Sequence, residues 1–458
     1  MIRVLFGLLL PVAAVAAAFK AARIRQATHS RLLTVALATC VGVGGASALT
    51  FAALMLGLRL DGTFVLIDAT VWVLVGVVSL WVARGHLVSR GEPVFPRATA
   101  FDWALRVAFL VVAAMAAAVP VLEYLASPHG QWDAWAIWNQ KARFMFRAGP
   151  AWTDSLAIGW SQPSHPPLIS ASVARLWAYA GQEATVAPAL LAGTFALAML
   201  AVVMSALDLR RSRAWIAGLI LVAPLTITHL AAAQTADLPL AVFVVATLVM
   251  LPMRPVAWRD GQHIGATLWM AGATASLAAW TKNEGVVFLA ASTALVLWSS
   301  FRHGRVTDAT WWVVGAAPFL LALAWFKLGL VPAQPEYLEG ANDLSTMLSR
   351  AFDPGRHREL WTTAWSLAVR WGGPAAAGSL LVVVAVAVAT ACTTHGRVAR
   401  GFLGVAGVMA AGYLTVYLLT PLSVTWLVQT TFERLAAQLW PLLVFAACAP
   451  TDERFETA

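Results

Sequence analysis

Long runs of apolar side chains recur along the whole chain, and they limit what it can fold into. The runs at 103–122 and 311–331 each contain one charged residue, and the run at 380–391 contains none. Segments of about 20 apolar residues match the hydrocarbon thickness of a bilayer, which is roughly 30 Å. Only 12% of all residues are charged, whereas ordinary soluble domains contain about 25%. The chain is therefore expected to cross a membrane several times.

The composition of these runs predicts helices rather than the strands of a membrane β-barrel. Barrel strands alternate apolar and polar side chains, but these runs are apolar on every face and rich in Ala, Leu, Val and Gly. We predict an all-α polytopic protein with about thirteen membrane-spanning helices. The predicted spans are 4–19, 32–56, 64–82, 103–122, 186–207, 215–230, 238–251, 264–280, 286–298, 311–331, 373–391, 402–419 and 435–449.

Lysine and arginine residues cluster in alternate connections between the predicted spans, and the positive-inside rule assigns these connections to the cytoplasm. The clusters are formed by Lys20, Arg23, Arg25, Arg31, Arg84, Arg90, Arg210, Arg211, Arg213, Arg254, Arg259, Arg302, Arg305, Arg397 and Arg400. The outer side then receives the two longest hydrophilic segments, at about 123–185 and 332–372. We therefore expect a protein of the cytoplasmic membrane, with interfacial helices and an active site on the outer face.

Three regions are predicted along the chain. Residues 1–100 form three transmembrane helices and a cytoplasmic connector, residues 101–450 form the membrane core, and residues 451–458 form a cytoplasmic tail. The first apolar run is expected to be retained, because only Arg3 precedes it and the basic cluster follows it. The net charge of +9 is spread over short clusters without interleaved aromatic residues, so nucleic acid is not an expected partner.

The segment after the fourth predicted span contains the densest group of aromatic and charged residues. Trp132, Trp135 and Trp138 recur at intervals of three, which is typical of a helix lying in the membrane interface. Asp133 lies just where the chain leaves the bilayer, where an acid is a functional candidate unless it only caps a helix. The cations Lys141 and Arg143 follow on the same segment. They would bind an anionic substrate or contact lipid headgroups.

Other ionisable residues lie at the outer ends of later spans. His165 precedes two prolines, and Asp237 opens a predicted span, where it could also serve as a helix cap. Lys282 needs an anionic partner or water at such a position, and Glu284 would give a plain structural ion pair. Arg434 supplies a second cation on the same side. Converging cations favour a phosphate group as ligand.

The order of these features resembles the GT-C superfamily of integral-membrane glycosyltransferases, particularly the bacterial aminoarabinose transferases and the protein O-mannosyltransferases. The resemblance covers about 103–449 and rests on Asp133, on His165-Pro166-Pro167-Leu168, on Asp237 and on Thr281-Lys282. Two departures leave subgroup and substrate open. Ala134 stands where the mannosyltransferases have a second acid, and Asn283-Glu284 follow the Thr-Lys pair where glycine is usual.

The resemblance implies an inverting transfer of a sugar from a polyprenyl-phosphate-linked donor to a lipid, glycan or protein acceptor in the cell envelope. Asp133 would be the general base, and Lys282 and Arg434 would neutralise the departing phosphate. Asp237 would hold a sugar hydroxyl or a divalent metal ion, so metal dependence stays open and no other cofactor is implied. Lys141, Arg143, His165 and Glu284 complete the predicted substrate-binding set.

Two other functions share the lipid-linked substrate. A transporter or flippase for a lipid-linked sugar would also need outer cations, but it ought to place ionisable residues deeper in the spans. Asp68 and Lys327 are the candidates for such residues, and both lie near predicted span ends. A polymerase or ligase of surface polysaccharide would favour a larger outer segment than 332–372. We therefore rank transfer first, transport second and polymerisation third.

Overall fold

The computed structural model describes residues 1–22, 24, 30–84, 98–251, 262–332 and 343–449, and regular structure within these ranges is helical throughout. The first helices are α1 (Ile2–Ala21), α2 (Arg31–Met55), α3 (Gly62–Ala83) and α4 (Ala100–Ala126). The middle helices are α5 (Asn139–Ala148), α6 (Leu168–Ala180), α7 (Val186–Ala206), α8 (Ser212–Val222), α9 (Leu225–Ala232), α10 (Asp237–Met250) and α11 (Gln262–Thr281). The last helices are α12 (Glu284–Arg302), α13 (Val306–Gly329), α14 (Leu344–Ala351), α15 (Pro354–Arg370), α16 (Ser379–Cys392), α17 (Arg397–Leu419) and α18 (Val424–Ala447).

Within the described ranges, nine helical segments are long and apolar enough to cross a bilayer. They are α1, α2, α3, α4, α7, α12, α13, α16 with the short turn before it, and α17. Helices α8 and α9 would together form a tenth span that is bent by 68°, and Pro224 lies at the bend, where it cannot continue the helix. The helical, multi-pass class predicted from the sequence is therefore confirmed.

The count of about thirteen spans is not confirmed. Each predicted run does coincide with a helix, but three of these helices are not among the nine or ten segments. Helix α10 has only 14 residues, and α18 carries Glu433, Arg434 and Gln438 in its middle. The third is α11. Most of the predicted connector, at 85–97, and the predicted tail at 451–458 lie outside the described residues.

Helix α10 lies at the centre of the bundle. All 14 of its residues are buried, and it packs against α7, α11 and α18. Nearby, α11 and α13 approach so closely that a Cβ on Gly315 would lie 1.9 Å from the carbonyl oxygen of Trp269. Small residues allow such close packing between membrane helices. Because α10 is central, the acid at its first position, Asp237, lies inside the protein.

The three leading helices share the hydrophobic core with the later ones. A buried ion pair fixes them, in which Arg175 of α6 contacts Asp68 of α3 at 2.5 Å. Arg175 also donates to the backbone oxygen of Gly7 in α1 at 2.6 Å, and the Tyr179 hydroxyl donates to Asp68 at 2.6 Å. Asp68, which a transporter could have used, is thus held in a closed network between helices.

Two further regions face outward from the bundle. Helix α4 has no buried residue and packs on α8 and α9, which suits a helix at the edge of the bundle with lipid on its other sides. Helices α14 and α15 lie within the segment at 332–372. Trp361 and Trp365 of α15 are exposed one turn apart. Exposed tryptophans at this spacing are typical of a helix at the membrane interface.

Candidate functional site

The loop that follows α4 is fixed to the loop that precedes α10. The backbone N–H of Gln131 donates to the carbonyl oxygen of Ala233 at 3.4 Å, and the Gln234 amide donates to the carbonyl oxygen of Pro128 at 3.2 Å. Gly130 has a φ of +76°, and a Cβ there would lie 2.9 Å from the oxygen of Ala233. This close approach requires glycine. It brings Asp133 next to the start of α10.

After Asp133 the chain forms a π-helical turn, Ala134–Trp138, which leads into α5. Trp132 and Trp135 are exposed, but Trp138 is fully buried and stacks on His165 with ring centroids 5.5 Å apart. The prediction that all three tryptophans lie at the interface is therefore wrong for Trp138. The wider π-turn does not keep side chains at intervals of three on one face. Such turns are frequent at functional sites.

Neither of the two acids acts as a helix cap. Asp133 has helical backbone angles and makes no capping hydrogen bond, and Asp237 lies inside the first turn of α10, after Ala236. The capping alternative considered for both residues is thus excluded by their geometry. Both carboxylates instead contact cations.

Asp237 is completely buried and is satisfied by four donors. Its Oδ1 accepts from Lys282 Nζ at 3.0 Å and from Gln438 Nε2 at 2.7 Å. Its Oδ2 accepts from Arg434 Nε at 3.0 Å and from the Thr235 hydroxyl at 3.1 Å. A carboxylate offers about four acceptor positions. All of those of Asp237 are in use.

Five charged side chains form an alternating series around Asp237, which we name the charge chain. It runs from Asp133 to Arg434, Asp237, Lys282 and Glu284. Arg434 Nη1 contacts Asp133 at 2.5 Å, and Lys282 contacts Glu284 at 2.7 Å. Three carboxylates and two cations give the charge chain one net negative charge. The ion pair foreseen between Lys282 and Glu284 is present, but it belongs to this larger arrangement.

The charge chain is supported by residues that the sequence analysis missed. The hydroxyl of Tyr413 in α17 donates to Gln438 Oε1 at 2.7 Å, and this orients the amide nitrogen of Gln438 toward Asp237. Gln438 follows Arg434 by four residues on α18, so helical spacing could have placed both on one face. Tyr413 gave no such signal, because it lies within an apolar run.

His165 lies beside the charge chain in a buried position. Asn283 donates to its Nδ1 at 3.1 Å and also contacts Lys327 Nζ at 2.6 Å. Burial, and then the nearby charges of Lys282, Lys141, Lys327 and Arg434, hold the pKa of His165 well below its usual value. The imidazole is therefore neutral at neutral pH.

Lys141 and Arg143 differ in how close they come to the site. Lys141 is only 1% exposed and donates to the carbonyl oxygens of Gln162 at 2.5 Å and His165 at 3.4 Å, so it lies behind the loop that carries His165. Arg143 contacts Glu183 at 3.3 Å and lies over the ring of Trp177. Of the predicted substrate-binding residues, Arg143 is therefore paired elsewhere, and Lys141 supports the backbone of the site.

Two cavities adjoin the charge chain. The first, which we name the aromatic cavity, has a volume of about 690 Å³, and its apolar lining includes Ile137, Trp138, Trp160, Val287, Tyr413, Tyr417, Trp426 and Leu435. The second, the polar cavity, has a volume of about 560 Å³, and its lining includes Gln131, Thr226, His229, Thr235, Arg370, Gln429 and Glu433. Both cavities are lined by Asp133 and Arg434. The exposed end of the charge chain therefore separates them.

Within the part of the chain that the structure describes, no group of three or more His, Cys, Asp or Glu side chains is placed to hold a metal ion. Comparison with family models, curated proteins and solved structures finds no match to this chain. The fold and site define a multi-pass membrane protein with a charge chain between two cavities. The GT-C resemblance stays a prediction from the order of sequence motifs.

Proposed function

We propose that this protein is a membrane glycosyltransferase that moves a sugar from a polyprenyl-phosphate-linked donor to an acceptor at the outer face of the cytoplasmic membrane, with inversion. The observation that carries the proposal is the position of Asp133 and Arg434, which line an apolar cavity and a polar cavity at once. A lipid-linked donor and a hydroxyl-bearing acceptor need two such compartments meeting at one reactive point.

The aromatic cavity suits the donor. Its apolar and aromatic lining offers contacts for the first isoprene units, and Lys282 and Arg434 also line it. Charge-assisted hydrogen bonds from such cations are the usual way in which proteins hold phosphate. Tyr413 and Trp426 add rings on which a sugar can pack. The partner expected from the sequence thus has a compartment of matching chemistry.

The polar cavity suits the acceptor. Hydroxyl, amide and charged side chains line it, among them Thr226, Gln429 and Glu433. These groups can hydrogen-bond a sugar, a lipid headgroup or a peptide, so the class of acceptor is not fixed by them. A hydroxyl bound in this cavity would meet Asp133 on the side that faces the donor.

In the proposed step, the acceptor oxygen bonds to the anomeric carbon from the face opposite the phosphate. The bond between the anomeric carbon and the phosphate oxygen breaks, its electron pair stays on the phosphate, and the acceptor proton passes to Asp133. A base in this role contributes about 10²–10⁴-fold. Asp133 is better suited than Asp237, because Arg434 is its single charged partner among the described residues, whereas Asp237 is saturated.

Transport of a lipid-linked sugar is the second candidate. A transporter would need ionisable residues within the spans, and the two candidates are Asp68 and Lys327. Asp68 is paired with Arg175, and Lys327 contacts Asn283 and the backbone of Ser164. These contacts favour transfer over transport. The ligase or polymerase function stays third, since it shares the donor and therefore the same cavity.

The test begins with a deletion strain whose envelope glycans and lipids are compared with wild type by mass spectrometry. A missing sugar identifies donor and acceptor, and purified protein in lipid nanodiscs is then assayed for transfer from the polyprenyl-phosphate sugar. Covalent product with release of polyprenyl phosphate supports a transferase. Movement of the intact donor across proteoliposomes without product would instead establish transport.

A further inference from the structure

The charge chain has no spare positive charge for a phosphate. Its two cations already contact three carboxylates, and Arg434 uses Nε for Asp237 and Nη1 for Asp133. A phosphate added to this arrangement would meet an excess of negative charge. It can bind well only if it takes over a contact that one of the carboxylates now makes.

The three carboxylates differ in how easily they can give up a cation. Asp237 is completely buried with four donors, so displacing it would leave a buried charge unsatisfied. Glu284 is 20% exposed, but Lys282, the cation that it contacts, is only 6% exposed. Asp133 has one ion-pair contact, and its side chain and that of Arg434 are 21% and 25% exposed. Asp133 is therefore the carboxylate that a ligand can displace at least cost.

We propose that the phosphate of the lipid-linked donor displaces Asp133 from Arg434, so that donor binding itself releases the base. Asp237 holds the guanidinium by its Nε throughout the exchange, so Arg434 keeps its position while Nη1 changes partner. A carboxylate that exchanges a cation for a neighbouring anion becomes a stronger base. The exchange thus orders the reaction, with the lipid phosphate bound before Asp133 can accept a proton.

The exchange predicts an unusual change in the affinity for phosphate. It rests on the proposed function only for the identity of the ligand. If Asp133 competes with phosphate for Arg434, then removing the Asp133 charge should tighten phosphate binding. An acid that only repels the phosphate through space, without sharing its contact, would give a smaller gain on neutralisation, and this gain would fall with added salt. Affinity for the carrier therefore separates the exchange from a passive role.

The test measures binding of radiolabelled polyprenyl phosphate to purified protein in phosphatidylcholine nanodiscs, which carry no net headgroup charge. Asp133→Asn and, as a second variant, Asp133→Ala should each bind about three- to tenfold more tightly than wild type. The matched control is Asp154→Asn, which alters an exposed acid of the same outer segment that lines neither cavity. It should bind as wild type does, and uncharged polyprenol should not distinguish the proteins.

Equal or weaker binding by both folded Asp133 variants would overturn the exchange. Unlabelled polyprenyl phosphate, inorganic phosphate and phosphatidylglycerol serve as competitors of the radiolabelled carrier. If polyprenyl phosphate displaces the carrier at far lower concentration than the other two, the site is specific for a lipid phosphate. Equal potency of phosphatidylglycerol would contradict such a site. Loss of sugar transfer with unchanged carrier affinity in Asp133→Asn would refute the exchange and leave the proposed function intact. Tighter carrier binding by the Asp133 variants, together with no sugar transfer by the wild-type protein, would refute the function and leave the exchange intact.

Discussion

The Asp68–Arg175 pair and the charge chain both keep ionised side chains away from water, and the charge chain also borders two cavities. Both side chains of the pair are 3% exposed, and hydrogen bonds from Tyr179 and to Gly7 complete its network. The charge chain is equally buried at Asp237, yet its Asp133 end reaches two cavities. Burial alone therefore does not distinguish a structural acid from a reactive one. Contact with a cavity at one end of the network is the feature that separates the two.

The first prediction tests the side of the membrane on which the charge chain lies, and its expected result is all-or-none. Ala157 is exposed in the segment predicted to lie outside, 123–185, and Cys392 is exposed beside a connection predicted to be cytoplasmic. In a Cys392→Ser background, Ala157→Cys should react with an impermeant maleimide on intact cells. Cys392 of the native chain should react only after permeabilisation. The reverse pattern would place the charge chain on the cytoplasmic side and contradict an outer-face transferase.

The second prediction concerns the open end of the charge chain. Asp133→Asn keeps the size of the side chain but cannot take up the acceptor proton, so transfer should fall by about two to four orders of magnitude. The variant should reach the membrane in normal amount, because Asp133 is not fully buried. Transfer is measured per milligram of folded protein, with Asp154→Asn as the control of unchanged rate. A wild-type rate of transfer in Asp133→Asn would mean that Asp133 is not the base, so the charge chain would be as structural as the Asp68–Arg175 pair.

The third prediction concerns the closed network. Arg175→Met leaves the Asp68 carboxylate buried without a cation, which should cost about 3–5 kcal/mol of stability. Thermal unfolding in detergent measures the loss, and activity per folded molecule should stay near wild type. The double variant Asp68→Leu with Arg175→Met removes both charges and should recover most of the stability. Loss of transfer in a stable double variant would show that the pair is more than structural.

The sequence predicted the membrane class well because that class depends on local composition. The apolar runs that become α7, α12 and α17 need no knowledge of their neighbours to be recognised as spans. Helix α10 was predicted as a span in the same way, but it is a buried central helix of 14 residues and is shorter than each of the nine segments that could cross a bilayer. Whether an apolar helix faces lipid or protein depends on packing, which one sequence does not specify.

The candidate site was predictable as a set of residues but not as an arrangement. Asp133, Asp237, Lys282 and Arg434 were recognised because polar residues at the ends of apolar spans are costly. Their partners were not, since the contact between Arg434 and Asp133 joins residues about 300 positions apart in the sequence. Lys141 had the same local signal as Lys282, yet it binds backbone oxygens. Only the fold separates the two lysines.

The fourth prediction tests whether transfer depends on the hydrogen bonds that fix the buried Asp237. Tyr413→Phe removes the donor to Gln438, a hydrogen bond worth about 0.5–1.5 kcal/mol, and frees the amide that fixes Asp237. We expect transfer to fall by up to about tenfold, since each 1.4 kcal/mol corresponds to a factor of ten. Tyr417→Phe is the matched control, because Tyr417 lines the same cavity but bonds Thr431. Equal effects of the two changes would argue against a role for the Gln438 contact.

The last prediction uses His165 to test whether burial beside the charge chain, together with the nearby cations, keeps this imidazole neutral. Burial and the charges of Lys282, Lys141, Lys327 and Arg434 lower the pKa of His165 in the folded protein, whereas the unfolded chain has a histidine pKa of about 6.5. Below that pH the unfolded state binds one more proton than the folded state. Stability contributed by neutral His165 is therefore present above about pH 6.5 and is lost as the pH falls.

The change that isolates this contribution is His165→Asn, because the Asn oxygen can replace Nδ1 as acceptor for the Asn283 amide and does not titrate. Thermal unfolding between pH 8 and pH 5 should show wild type losing more stability below pH 6.5 than His165→Asn, by up to about 1.4 kcal/mol per pH unit. Parallel curves for wild type and His165→Asn would mean that neither burial nor the nearby cations keep the imidazole of His165 neutral in the folded protein.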